Sequence, residues 1–440
     1  MAGRYLRPRH SAPAPGQRGA ATLIVVAVLF FIASLVAAYT NRNLIFEQRT
    51  SGNQFRSTQA LEAAEAGVEW ALAMLNTGRI DANCAPTANP TLTAFRDRYL
   101  DINLTNGNLV PSPRLDPATA AWPTCVFDGT DWACGCPENG PAGLAPPAGA
   151  GVFPAFRVTI EPLNAPRPGV VRLRVNGCTR LDADCLNFPA TGVAGEGRAS
   201  LDVAVALRSA LPSVPAAAVT VRGDFDVEGA AIGAFNPDAR SGGLAIRAGG
   251  VLQNDIPLRF GGPAGTPAER SLLVLAGDPA LDVGVIAAPG ARLFGALFGA
   301  TAQTYRDQPA TVVLDCSATV CNADLLRTVV ARNPGRIVWA TNGDVTLDGG
   351  APIGSAADPV LLVVDDDLEL SNTTFNGLVL VRGDPAVVTG NAATLNGALM
   401  AENGLRGGAG FDVVYDADVL APLRRRHGSF VRVPGGWRDF

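Results

Sequence analysis

An uninterrupted apolar run, Ala20 to Tyr39, does most to limit what this chain can become. It reads AATLIVVAVLFFIASLVAAY, without a charged residue or a proline. At about 1.5 Å per residue, a helix of that length covers a hydrocarbon core of about 30 Å. The flank before it holds Arg4, Arg7, Arg9 and Arg18 and no acid. Positive residues gather on the cytoplasmic side of membrane segments, so the sequence predicts a basic cytoplasmic leader over residues 1–19, with everything after Tyr39 outside the cytoplasm. A secretory signal peptide is the alternative. Its apolar region is usually about 7–15 residues long and ends at a small-residue cleavage site, and the run fits neither.

Beyond the run no proline interrupts Asn43 to Leu75. Leu61, Ala64, Val68, Leu72 and Leu75 recur at spacings of three and four, which places them on one helical face, while Glu62, Glu65 and Glu69 occupy others. Gly78 supplies a stop. The pattern predicts a helix over residues 20–77 whose weakest point is Ser51-Gly52-Asn53. A membrane anchor followed by an unrelated soluble helix fits the same pattern.

Two stretches, RGAATLIVVAVLFF and EQRTSGNQFRSTQALEAAEAGVEWALAMLN, resemble the amino-terminal region of the PilX-type minor pilins of type IV pili. The resemblance covers about residues 17–77. It implies cleavage by prepilin peptidase after Gly19, leaving Ala20 as a methylated amino terminus. It also implies residence in inner-membrane lipid, then packing against other pilins and minor pilins through Ile24, Leu61, Val68, Leu72 and Leu75. Most pilins carry glutamate at the fifth mature position, where this chain has Ile24. A carboxylate inside an apolar segment costs about 2.5–3.5 kcal/mol on insertion scales and calls for a partner such as a neighbouring subunit's amine. A subunit without it suits a position with no amine to neutralise, such as a filament tip. The K pseudopilin of type II secretion also lacks the glutamate and resembles the chain around AEAGVEWALAML; its head is strongly helical.

The rest of the chain reads as an exported, turn-rich body. Gly 49 and Pro 33, with 17% charged and 6% aromatic residues, point to short strands between many turns. All eight cysteines follow the apolar run, where an oxidising compartment permits disulfides. Cys178 with Cys185 and Cys316 with Cys321 form attractive local pairs. Cys134 and Cys136 lie too close to pair comfortably with each other and would seek Cys84 and Cys125, in a connectivity that sequence leaves open. A zinc site at Cys134-Gly-Cys136 is the competing reading, without a nearby histidine or the usual ligand spacing.

Residues 78–211 are expected to form a pilin-like head, in which Phe156–Ile160, Val170–Val175 and Ala199–Leu207 alternate as half-buried strands. Such a sheet would bury one face on Leu61, Val68 and Leu72. Residues 212–218 read as a linker, and 219–440 as a repeat domain. There, Gly223–Gly233 is echoed by Gly343–Gly354, and more weakly by Asp366–Gly377 and Gly383–Gly397, with fully apolar strands between them. Copies about twenty residues apart suit one coil of a β-solenoid, each completing its core on the next. The expected class is therefore α+β: a long pilin helix, a small antiparallel sheet and a β-solenoid-like region, with a β-sandwich as the alternative.

Several motifs carry a structural reading instead of a functional one. Arg222-Gly-Asp224 and Arg382-Gly-Asp384 fall on the same turn of the repeat, where Gly and Asp are ordinary. Asp365-Asp366-Asp367 offers oxygen ligands for calcium but lacks the spacing of a calcium loop. Arg424–His427 reads as a solvated basic cluster. Net charge is -5, so no electrostatic capture of nucleic acid is predicted. The chain has no lysine, hence no phosphate-binding loop, and neither a Gly-x-Ser-x-Gly elbow nor a His-Glu-x-x-His motif. No cofactor is expected and catalysis is not; a membrane-anchored polysaccharide enzyme using paired carboxylates is the remaining enzymatic alternative.

Overall fold

The structure is a computed structural model that describes residues 18–89, 91–105, 108–114, 121–149, 151–163, 169–187, 197–227, 232–253, 258–281, 291–408, 410–425 and 427–439. Most of the predicted leader lies outside the described residues. The first element is a single helix, Arg18–Leu75, unbroken at Ser51–Asn53. The chain forms two compact units, Met1–Thr58 and Gln59–Phe440.

In the second unit, the helix from Gln59 onward seats on an antiparallel sheet. Strand order is Gly428–Asp439, Arg198–Ser209, Val170–Cys178, Ala155–Glu161, Thr124–Phe127 and Trp132–Gly135. The three alternating sequence runs supply strands next to one another in this sheet. Val171, Leu173, Val175, Leu201, Val203 and Val205 pack with Ala64, Val68, Ala71, Met74 and Leu75 in one core. Residues of opposite parity face the other way. There Arg174 donates to both oxygens of Asp202, at 2.7 and 3.0 Å, and Arg172 donates to Glu161 at 2.7 Å.

The helix face is shifted from the expected leucine stripe. Val68 and Leu75 are buried and Leu72 is partly so, but Leu61 is 36% exposed. Contact falls instead on Ala60, Ala63, Ala64, Gly67 and Ala71. Close approach is the reason: a Cβ on Gly67 would stand 2.6 Å from Val175, and one on Gly177 would collide with the Ala60 carbonyl oxygen. Asn76 then ends the helix. Its Nδ2 donates to the Leu72 and Phe430 carbonyls, and its Oδ1 accepts from Phe430 N at 2.8 Å.

The last strand, Gly428–Asp439, pairs with Arg198–Ser209 and so belongs to the head sheet, not to the repeat domain that the sequence suggested up to residue 440. His427, expected in a solvated cluster, is buried at 2% exposure because it leads into this strand. The side chains of Arg425 and Arg426 lie outside the described residues.

The described residues of 219–415 wind into stacked coils in which every strand pair is parallel; from Thr311 to Gly408 successive strands alternate between two sheets, and Arg259–Gly261, Gly233–Phe235 and Asp412–Tyr415 form a further stack that joins the first sheet at Thr394–Gly397. One sheet runs Thr311–Asp315, Ile337–Thr341, Val360–Val364, Thr374–Val381, Thr394–Ala401, then Val219–Val221, Ile246–Ala248 and Val274–Leu275. The other runs Cys321–Asn322, Val345–Asp348, Leu368–Ser371, Ala386–Asn391, Leu405–Gly408, Phe225–Val227 and Leu252–Gln253. The stacking order departs from the chain order: the earliest coil, at Val219, lies on the last, at Leu399.

Burial explains the two strand textures seen in the sequence. The first sheet is covered on its outer face by helices, among them Ala291–Phe298 and Ala417–Arg425, so Val360–Val364 is buried at all five positions. Strands buried on both faces read as continuous apolar runs. The second sheet alternates, as in Leu368–Ser371, because only one of its faces meets the core. The Asn-Gly echo has a similar cause. Thr374-Phe-Asn-Gly377 and Thr394-Leu-Asn-Gly397 lie in register, and Asn396 Nδ2 donates to Asn376 Oδ1 at 3.1 Å. Gly377 and Gly397 have φ of +154° and +133°, and a Cβ on either would strike the carbonyl of the adjacent coil.

Candidate functional site: an exposed apolar helix

Within the first unit every described side chain from Ala21 to Thr58 is exposed. That surface includes Leu23, Ile24, Val25, Phe30, Phe31 and Tyr39, each more than half exposed. Among the described residues, this is the one helix long and apolar enough to cross a membrane, with a mean hydropathy of 2.8 in its best window. Burying a large apolar side chain is worth about 1.5–3 kcal/mol. Ten or more such residues in water would oppose solubility strongly, so the segment requires lipid or other helices around it. Below the run, Thr40 Oγ1 donates to the Val36 carbonyl at 2.8 Å and the Arg42 guanidinium lies over Phe46 at 5.5 Å.

The predicted processing residues Gly19 and Ala20 lie on the backbone of this helix. Ile24 presents an apolar, 62% exposed side chain where a glutamate was the family expectation. Leu61, Val68, Leu72 and Leu75 belong to the second unit, where Val68 and Leu75 pack within the head. Of the five expected packing residues, Ile24 lies on the uncovered segment, Val68 and Leu75 in a folded core with Leu72 packed against it, and Leu61 is exposed.

The eight cysteines form four bonds: Cys84–Cys136, Cys125–Cys134, Cys178–Cys185 and Cys316–Cys321. Cys125 and Cys134 face each other across paired strands, and Cys84–Cys136 ties the chain after the helix to that hairpin. With both sulfurs of Cys134-Gly-Cys136 committed, the zinc reading loses its ligands.

The surface motifs are engaged in holding coils together. Arg382 forms ion pairs with Asp365, at 2.6 Å, and with Glu402, and lies over Trp339 at 5.2 Å. Arg222 Nε donates to the Glu402 carbonyl at 2.7 Å, and Asp224 accepts from Val251 N at 2.8 Å. Neither Arg-Gly-Asp tripeptide therefore presents its arginine as a free recognition group. Asp365 also accepts from Trp339 Nε1, Asp366 from Gly343 N and Asp367 from Val387 N. These carboxylates cap neighbouring coils, and among the described residues no cluster of metal-ligating side chains occurs.

Sequence reasoning missed Gly67, Gly177 and Asn76. The glycines carried a usable signal: both interrupt otherwise regular helix and strand patterns, where glycine marks close backbone approach.

The first unit thus leaves uncovered an apolar helix long enough to cross a membrane, and the second seats a sheet on the residues from Gln59 onward. Residues 18–69 match the PilX N-terminal family. The competence-associated pilin ComZ from Thermus thermophilus is a solved structure with 10% identity, aligned over 88% of this chain and 97% of its own, at a TM-score of 0.21. That score is too low to bear on the fold. No curated protein sequence matches the chain.

Proposed function

We propose that this protein is a noncatalytic minor pilin or pilus-assembly subunit of type IV pili. The observation that carries the reading is the coincidence of the PilX N-terminal match at residues 18–69 with the uncovered apolar helix. The precursor resides in the inner membrane with its amino terminus in the cytoplasm and its bulk in the periplasm. Prepilin peptidase cuts after Gly19, Ala20 becomes the methylated terminus, and the helix exchanges lipid for the helices of other pilins by close packing. The coils of residues 219–415 are read as a β-solenoid, exposed on the pilus or cell surface for priming assembly or for adhesion. The predominance of strands after residue 78 supports this reading over the K pseudopilin, whose head would be mainly helical.

Replacing Gly19 tests the core of the proposal. In a Gly19→Val strain, the uncleaved precursor should accumulate on gels and by mass spectrometry, with piliation reduced or absent in electron micrographs. Normal processing and piliation would refute it. Ile24 supports a place at the filament tip, since it brings no carboxylate to pair with a neighbour's amine. Gold label against the body should then mark filament ends; even labelling along shafts would remove the tip assignment.

A further inference from the structure

One row of residues crosses the outer face of the helix-covered sheet. In register it reads Trp339, Val363, Leu380, Met400, Thr220, Arg247 and Leu275. The first four are apolar and buried. The row turns polar only at Thr220 and Arg247, and there helix Ala291–Phe298 and the segment Ser213–Ala216 stand off the sheet around a cavity of about 590 Å³. Small-molecule sites commonly span about 300–1,000 Å³.

The geometry points to a binding site for a small amphipathic anion, a carboxylate or phosphate ester on a short apolar body. Its floor passes from the Met400 thioether to the Thr220 hydroxyl to the Arg247 guanidinium across three adjacent strands, about 10 Å at the usual strand spacing. Leu293, Ala296 and Leu297, one face of a helix, form an apolar wall. Thr220 is 3% exposed and its Oγ1 has no hydrogen-bond partner. A buried hydroxyl left unpaired costs about 1–3 kcal/mol, which an incoming acceptor oxygen would recover. Asp278 accepts from Arg247 Nε at 2.7 Å, using one proton of a five-donor group. Arg292, exposed on the rim, adds a second cation, so two arginines outweigh that one carboxylate. Plain core filling would have kept the row apolar beneath the helix; Thr220 and Arg247 instead interrupt it with a hydroxyl and a cation under an apolar wall, before Leu275 resumes it, as an anionic head and an apolar tail require.

The test uses the full chain in lipid nanodiscs. Octanoate, octyl phosphate and octanol are titrated by calorimetry into the native chain and into Arg292→Ala, Thr220→Val and the cavity-filling Ala296→Phe chains. Partition into lipid is common to all four and subtracts. The expected result is a saturable one-to-one isotherm for octanoate or octyl phosphate. It should weaken about tenfold or more in Arg292→Ala and Thr220→Val and vanish in Ala296→Phe. Whichever anion binds more tightly names the head group. Isotherms that coincide in the native and Ala296→Phe chains, or octanol binding as tightly as octanoate, would overturn the proposal. Because Arg292 lies on the rim, its loss reads binding even if a buried variant fails to fold.

Discussion

A Cβ added at Gly177 would meet the Ala60 carbonyl oxygen and the Ala64 backbone nitrogen, so even alanine there must push helix and sheet apart. Gly177→Ala should lower stability by about 1–3 kcal/mol in denaturant titrations, the range of overpacked cores. Leu61→Ala, at a 36% exposed position, should change it by about 0.5 kcal/mol or less. The spacing of three and four identified the helix correctly but weighted the largest side chains. What decides the contact face is how closely the backbones approach, and that favours alanine and glycine, the residues with least hydrophobic signal. Acid sensitivity also belongs to single residues. Asp128, Asp278 and Asp315 are held below the usual carboxylate range chiefly by backbone N–H donors, from Asp131, Ala280 and Ser317 respectively, and Asp128 is brought to about 2. A carboxyl depressed in the folded state stabilises above its unfolded pKa and loses that contribution as pH falls through the folded value. The unfolding temperature should therefore drop between about pH 4 and pH 2. An Asp128→Asn, Asp315→Asn double variant should show a smaller drop in the same scan.

Among the elements, the disulfides divide by the length of chain they close. Cys84–Cys136 spans 52 residues and Cys125–Cys134 spans 9. On loop entropy, removing the first should cost about 1.5 kcal/mol more than removing the second. Calorimetry of the paired Cys→Ser variants would show it, and equal losses would mean that the longer loop is already ordered without its bond. Local spacing singled out Cys178–Cys185 and Cys316–Cys321, whereas the choice among the other four waited on the hairpin that sets Cys125 against Cys134. The same limit applies to the strands. Half-buried ones were legible by alternation, but Gly428–Asp439 was not, because Pro434-Gly435-Gly436 interrupts it where its register shifts between Arg432 and Trp437. Arg382 joins three coils through Asp365 and Glu402, yet in the sequence it is one arginine in a turn. Arg382→Ala leaves the buried Glu402 and the partly buried Asp365 without the cation they share. It should cost about 2–3 kcal/mol, less than a fully buried pair because all but Glu402 keep some exposure.

At the scale of the molecule, the repeat was legible and its order was not. Copies about twenty residues apart announce coils, since each coil must bury its apolar strands on a neighbour. Which coil stacks on which depends on contacts between distant parts of the chain, and no local pattern records that Val219 lies beside Leu399. Leu399→Asp should accordingly raise hydrogen exchange at Val219–Val221 and Ile246–Ala248, with smaller effects at Thr311–Asp315 on the far end of the stack. Uniform loss of protection would mean that the stack opens as one unit. This arrangement also sets a timetable. Synthesis from the amino end makes Val219–Leu275 early, but those strands have no bed until Thr394–Tyr415 has followed. The strand edge that would otherwise recruit other chains is closed only by strands far later in the chain. A chain cut short before Thr394 would keep that edge open, so the winding order makes the protection of the early strands depend on strands far later in the chain.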